Sequence, residues 1–513
     1  MNQNMNKRLI GSASAVAIAV VLYACGGSGS SNPSVDVAKG TVLLNANVVN
    51  TRDGSVSTGM SIVIDGGKIQ QIVPGGTNVT VSGAGRAVDA TGKFVVPGFN
   101  DMHSHSMGFA NQTPTVWPLL IANGVTGVRE MSGTPDLIKA ARQLNIDSAA
   151  GRVDAPEILQ TTGPTFSGIN TVADALARVQ QAKTTDYDFI KIFQASRDAA
   201  ITIYNEAKKV GLTVAGHLPG ASISGVEASN LGMRSFEHNG AGYGFQLDCA
   251  ADEANIRKDL VDGKGAPTPY NPSIPTYRVG DAPFYQRIVD TYSESKCKAL
   301  AQTFVKNDSW VTPTLIRLHT INRSQDAQFQ NDPNLIYVDK SRRAVWAAYG
   351  KGSAENIPPA AQASFDAFWP LIQKVTKLLK DNGVKMMTGT EVTSTLIIPG
   401  FSMHQEFREL TDAGFKPLEI LQMATLNPAQ FLNREATMGT VEAGKNADLV
   451  VLDANPVADV ANMSKIAGVV LKGKYFSKAA LDQQKAGVAA AYASAPTPTP
   501  ATIAAYVDLG HSH

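Results

Sequence analysis

Val95-Val96-Pro97-Gly98-Phe99-Asn100-Asp101-Met102-His103-Ser104-His105 runs from β-branched residues into two histidines spaced two apart. A short apolar run of this kind reads as a strand over 94–99, with His103 and His105 following its end. In an extended chain, residues i and i+2 point to one side, so both imidazoles can meet a single metal ion. Taken alone, His-x-His is equally the pattern of two surface histidines, and the remainder of the chain has to decide.

Working outward from this stretch, further short apolar runs occupy 126–130, 157–162, 188–193, 213–218, 235–239, 310–316 and 384–390. Helical periodicity over 135–144, 173–183, 199–210 and 365–381 lies between them. With the first strand this makes eight βα units, which predicts an α/β fold built as a parallel (β/α)8 barrel. The interval 240–309 is longer than a βα connection needs and predicts an insertion at the place of an active-site cover. Carboxyl ends of barrel strands are where catalytic groups collect. His217 ends Thr213-Val214-Ala215-Gly216-His217, and His238 ends Arg234-Ser235-Phe236-Glu237-His238. Lys191 lies inside Asp188-Phe189-Ile190-Lys191-Ile192-Phe193, among apolar neighbours. A buried amine is costly unless it is paired or neutral, and a neutral amine can take up carbon dioxide as a carbamate that bridges two cations.

The 513 residues carry 45 Lys+Arg against 44 Asp+Glu, with 43% hydrophobic and 17% charged residues. That composition supports a large core and excludes a disordered chain. The even balance also argues against nucleic acid, whose phosphates call for clustered positive charge. Lys7 and Arg8 precede a short apolar run over 12–22 that ends in Leu22-Tyr23-Ala24-Cys25. This is a secretory pattern, and it resembles a lipoprotein signal with Cys25 as the lipidated residue, anchoring an exported protein to a membrane. An ordinary secretory signal with an incidental cysteine is the alternative. Export leaves Cys249 and Cys297 as an even pair, either a disulfide across the insertion or two separate thiols.

The two ends of the mature chain differ from its middle. Runs over 41–50, 61–65 and 68–73, with Gly66-Gly67 as a hairpin turn, are matched late in the chain by β-rich runs over 448–453 and 468–476. The expected organisation is a signal peptide over 1–25, a flexible linker over 26–39 and a first β-sandwich part over 40–95. A barrel over 96–435 follows, then a second sandwich part over 436–476, and a helix with a Pro-rich tail over 477–513. His511 and His513 fall in that tail.

Gly40-Thr41-Val42-Leu43-Leu44, the His-x-His after Val95-Val96-Pro97-Gly98, the strand lysine and the two later histidines together resemble the amidohydrolase superfamily. Gly389-Thr390-Glu391, Thr425-Leu426-Asn427-Pro428-Ala429 and the run from Gly439 to Leu449 extend the resemblance over roughly 40–476, on the imidazolonepropionase-like and Xaa-Pro-dipeptidase-like branch. The resemblance implies a distorted TIM barrel with both chain ends joined in one small β-sandwich. It implies two divalent ions, zinc foremost. His103 and His105 hold one, His217 and His238 the other, and carbamylated Lys191 bridges them. Glu391 stands where the family usually has Asp, as metal ligand and proton shuttle. His404 corresponds to a position often near substrate, or else caps a helix. His319 has no counterpart and reads as a loop residue. The implied reaction is hydrolysis of amide or related C–N bonds in short peptides, N-acyl amino acids or cyclic amides. Ester, lactone or phosphotriester hydrolysis in the same site, and an exported binding protein without catalysis, are the competing readings.

Overall fold

A computed structural model describes residues 34–107, 113–264 and 279–499. The signal segment with Cys25, linker residues 26–33 and the terminal His511 and His513 lie outside the described residues. Seven strands come first: β1 (Ser34–Val37), β2 (Thr41–Val49), β3 (Val56–Asp65), β4 (Lys68–Val73), β5 (Asn78–Val81), β6 (Arg86–Asp89) and β7 (Phe94–Pro97). Eight short strands follow: β8 (Phe99–Ser104), β9 (Val125–Glu130), β10 (Glu157–Thr161), β11 (Phe189–Ile192), β12 (Thr213–Gly216), β13 (Met233–Glu237), β14 (Trp310–Thr312) and β15 (Lys385–Met386). Three more close the order: β16 (Leu449–Leu452), β17 (Ile466–Leu471) and β18 (Lys474–Ser477).

The two chain ends join through β16, which pairs antiparallel with β7 in the register Val450 to Val96. They form one eight-stranded sheet in the order β18-β17-β16-β7-β2-β3-β4, with β6 beside β2, where two facing sheets were expected. The reason lies in β2, which is nine residues long: its first half pairs with β6 and its second half with β7, so one strand carries the sheet across. Residues 34–37 of the expected linker are also ordered, since β1 pairs parallel with β5.

A second correction concerns the decisive stretch itself. The strand read over 94–99 is β7, which belongs to the terminal sheet, and the first strand of the central set is β8, so His103 lies within a strand rather than after it. The break between them is Gly98, where an added Cβ would fall 2.0 Å from Thr126 Oγ1. Only glycine lets the chain pass this close to β9 and change sheets.

All eight central strands are parallel, in arcs of three (β10-β9-β8) and five (β11-β12-β13-β14-β15). Between the arcs, Met102 N–H donates to Thr388 O at 2.9 Å on one side, and Asp188 N–H donates to Thr161 O at 3.1 Å on the other. Helices Pro135–Ala149, Val172–Thr184 and Arg197–Val210 run between strands, their first turns capped by the side chains of Thr134, Thr171 and Ser196. Strand residues such as Ile190 and Ile192 pack under these helices in one extended apolar core, while Phe189 on the other face of β11 clusters with Met131 and Ala215.

Between β13 and β14 the helices Gly244–Asp248, Glu253–Val261, Ala282–Asp290 and Glu294–Lys306 fill the expected insertion. Cys249 and Cys297 form a disulfide inside it, with Cα atoms 4.8 Å apart. A second long excursion, between β14 and β15, contains helices Leu315–Asn322, Lys340–Asn356 and Pro359–Asp381, of which the sequence pattern reveals only the last. His319 thus sits in a helix and not in a loop, its Nδ1 2.7 Å from Glu409 Oε1 and its ring stacked on Trp369. Among the described residues no helix is long and apolar enough to cross a membrane.

Candidate metal centre

Five of the central strands bring six groups to a common point. His103 ends β8 with His105 two residues on, Lys191 lies in β11, His217 follows β12, His238 follows β13, and Glu391 lies beyond β15. His103, His105, Lys191, His238 and Glu391 are all buried. Gly389 lets the segment after β15 pass close to β8, because a Cβ there would meet His103 Cβ at 2.7 Å.

Three imidazoles converge on one carboxylate. His103 Nε2 is 2.6 Å from Glu391 Oε2, His238 Nε2 is 3.0 Å from the same oxygen, and His105 Nε2 is 3.3 Å from Oε1. Lys191 Nζ lies 3.1 Å from His103 Nε2. The His217 ring stands 5.1 Å from that of His238.

The far nitrogen of each of these three rings is engaged by an oxygen. His103 Nδ1 is 2.8 Å from Glu237 Oε2, His105 Nδ1 is 2.9 Å from Ser132 Oγ, and His238 Nδ1 contacts Thr314 Oγ1. With the proton held on Nδ1, each Nε2 presents its lone pair inward, as a metal ligand must. Glu237 is itself fixed: Arg129 Nη2 donates to its Oε1 at 2.5 Å and Ser235 Oγ at 2.7 Å, while Arg129 Nε donates to Met102 O. Asp101 ties the two sides together, accepting from His103 N–H at 3.1 Å and from Thr390 N–H at 3.0 Å.

Electrostatics follow from this packing. Burial would raise the Glu391 carboxyl, but His103, His238, His105 and Lys191 overcome it and hold the group well below the usual carboxylate range. Burial depresses Lys191, only partly offset by Glu391 and Glu237. Burial also lowers His238 to about 4 and His217 well below its ordinary value, so both rings are neutral at pH 7.

Backbone strain is concentrated here. Glu391 has φ +66°, His238 +53° and Thr314 +45°, left-handed values that cost non-glycine residues on the order of 1–3 kcal/mol each. β15 ends at Met386, and the left-handed turn at Glu391 lets its longer side chain meet the histidines from beyond the strand.

The donor set fits a divalent metal. Ligand atoms of His103, His105 and Glu391 lie within 4.8 Å of one another. The buried His217 Nε2 has no hydrogen-bond partner, an expensive state for a polar atom that a cation would relieve. Imidazole nitrogens with a carboxylate are the donors that zinc and its first-row neighbours take.

His404 does not join the cluster. It lies in the helix Phe401–Asp412 and packs edge-on against Phe99, at the opposite end of β8 from His103. In that helix the residue projects toward the start of β8 and not its end. Conversely, Glu237, Arg129, Ser132 and Thr314 were not singled out from sequence. Glu237 carried the one available signal, as a carboxylate directly before His238 at a strand end.

Parallel strands whose carboxyl ends gather histidines, a lysine and a carboxylate make this an α/β protein with a candidate metal site. More particularly, residues 370–475 match the Amidohydrolase family model, in agreement with the resemblance read from the sequence. The chain is 30% identical over 119 residues to an imidazolonepropionase of Treponema denticola, a match covering 22% of this chain and 27% of that protein. The chain thus spans about a quarter of the length of the curated relatives it matches. In fold it is similar to a bottromycin amidohydrolase (TM-score 0.63, 19% identity, 88% of this chain and 90% of that one). It is similar also to a Xaa-Pro dipeptidase with bound methionine in its active site (TM-score 0.56, 18% identity, 85% and 99%).

Proposed function

We propose that the protein is a metal-dependent hydrolase of amide or related C–N bonds, acting on short peptides, N-acyl amino acids or cyclic amides. The observation that carries this reading is the convergence of three buried imidazole nitrogens and Lys191 on the Glu391 carboxylate. In this reading the two strand arcs belong to a distorted (β/α)8 barrel, and the two chain ends join beside it in the single terminal sheet. His103 and His105 would hold one ion and His217 and His238 a second, with Lys191 between them and zinc as the first candidate. Divalent ions in such a site supply an acidified water and a polarised carbonyl. The chain's own residues do the rest. Glu391, ionised at neutral pH, accepts the proton of the attacking water and returns it to the leaving nitrogen. Glu237 and Thr314 hold the His103 and His238 rings so that their inward nitrogens stay unprotonated. Lys191, whose amine burial shifts toward the neutral form, would bond its nitrogen to the carbon of carbon dioxide and release a proton, which leaves a carbamate as the bridge.

By the same reading the chain is exported and tethered through lipidated Cys25. Elemental analysis and a substrate screen test the proposal together. The expected result is close to two metals per chain and turnover of at least one of a panel of Xaa-Pro dipeptides, N-acyl amino acids and cyclic amides. At most one metal, unchanged in His217→Ala/His238→Ala, rejects the two-ion site, and turnover confined to lactones or phosphotriesters rejects C–N specificity. For the anchor, the native protein should enter the detergent phase and Cys25→Ser should not; equal partitioning of the two would show ordinary secretion.

A further inference from the structure

A cavity of about 310 Å3 lies beside the helix Phe401–Asp412, and none of the metal-centre residues lines it. His404 forms part of its wall, 8% exposed, with the Asn123 backbone against its ring. Four cations, Arg408, Lys465, Lys478 and Lys485, face two carboxylates, Asp453 and Asp482, which leaves an excess of two positive charges. The carboxylates are already engaged: Asp482 binds Lys478 at 2.7 Å and Lys485 at 3.0 Å, and Asp453 binds Lys93 at 2.7 Å. Arg408 and Lys465 are exposed, and neither has an ion pair among the described residues. Burial, with Arg408 and Lys485 nearby, lowers the His404 imidazole to about 4, so the ring adds no charge at pH 7.

A planar guanidinium without a carboxylate partner suits a two-oxygen anion, and an ammonium supplies a second point charge. The volume is at the lower end for small-molecule sites, roughly 300–1,000 Å3. We propose that this cavity binds a small organic dianion, a dicarboxylate or a phosphate monoester, held by Arg408 and Lys465 against the wall that contains His404. The proposal is independent of the reaction at the metal centre.

Thermal unfolding of the full chain with increasing inorganic phosphate, and separately with succinate, tests it. Binding to the native state should give a saturable rise in Tm for at least one anion, and the tighter of the two identifies the head group. In Arg408→Gln/Lys465→Gln the apparent affinity should fall at least about tenfold, the loss expected for charge-assisted hydrogen bonds. Both side chains are exposed, so the Tm without anion should stay unchanged, and Lys465→Gln alone should weaken binding in the same direction. The proposal is overturned if neither anion gives a saturable rise, or if the double variant responds like the parent. It is equally overturned if the response survives in the double variant and disappears in His238→Ala, since the anion would then sit at the metal centre.

Discussion

Glu391 is the residue on which the site turns, because three Nε2 atoms from the ends of β8 and β13 meet its two oxygens. Glu391→Gln keeps the shape and removes the proton acceptor. A general base of this kind is worth ~10² to 10⁴ in rate, so kcat on a confirmed substrate should drop by about that range. Metal content should fall only modestly, since four histidines remain. A wild-type kcat in Glu391→Gln would remove the shuttle role and require another carboxylate. The groups that chemistry needs were visible in the sequence, because His103, His105, His217 and His238 fall at or near the ends of apolar runs and Lys191 lies inside one. Their orienting partners were not. Glu237 reaches His103 across 134 positions, and Thr314 reaches His238 across 76. Which oxygen sits behind a ring depends on which strands become neighbours, and spacing along the chain does not carry that. The place of His404 apart from the cluster was hidden for a related reason: family position gave its place in sequence but not the direction in which its helix projects it.

At the scale of elements, the same helix that carries His404 buries Glu406 completely. Glu406 Oε2 accepts the Ile316 N–H at 2.7 Å, at the opening of the helix Leu315–Asn322. Burial pushes its carboxyl from 4.5 up to about 8, opposed by the N–H groups of Ile316 and Leu315. The folded protein therefore keeps a proton that the unfolded chain releases above about 4.5. The sign follows: the stability from this group is full below that value and is lost as pH rises through about 8. One such proton contributes a slope of at most about 1.4 kcal/mol per pH unit. Glu406→Gln should flatten the decline in urea-unfolding free energy between these limits, and an unaltered slope would assign the decline to other groups. Seven of the eight central strands were legible as short apolar runs bounded by turn residues, whereas β8, Phe99–Ser104, is largely polar and was taken as the end of β7. Errors arose at their ends: Pro97-Gly98 separates two strands of different sheets, and β15 shrinks to two residues before the left-handed turn at Glu391. The excursion between β14 and β15 was mostly hidden, since the helix Lys340–Asn356 contains two glycines and has weak apolar periodicity.

For the whole molecule, every proposed metal ligand lies between His103 and Glu391, yet the fold that positions them closes only with the last strands. β16 enters the middle of the terminal sheet against β7, and Gly98 N–H donates to Asp448 O at 2.8 Å, immediately before β8 begins. Val450 and Val96, paired across that junction, are both fully buried. Burial of one such side chain is worth about 1.5–3 kcal/mol, and β16 and β17 bury several, among them Leu449, Leu452, Val469 and Val470. A chain that stops after Phe431 would expose β7 as an unpaired apolar edge and free the entry to β8. Because a single domain is stable by only about 5–15 kcal/mol, losing this layer should abolish cooperative unfolding. Metal content should vanish with it, although no ligand has been deleted. Circular dichroism melting and elemental analysis of the truncated protein check the expectation. A cooperative transition with native metal content would show that the central strands hold the site unaided, and the terminal sheet would then have no part in positioning His103 and His105.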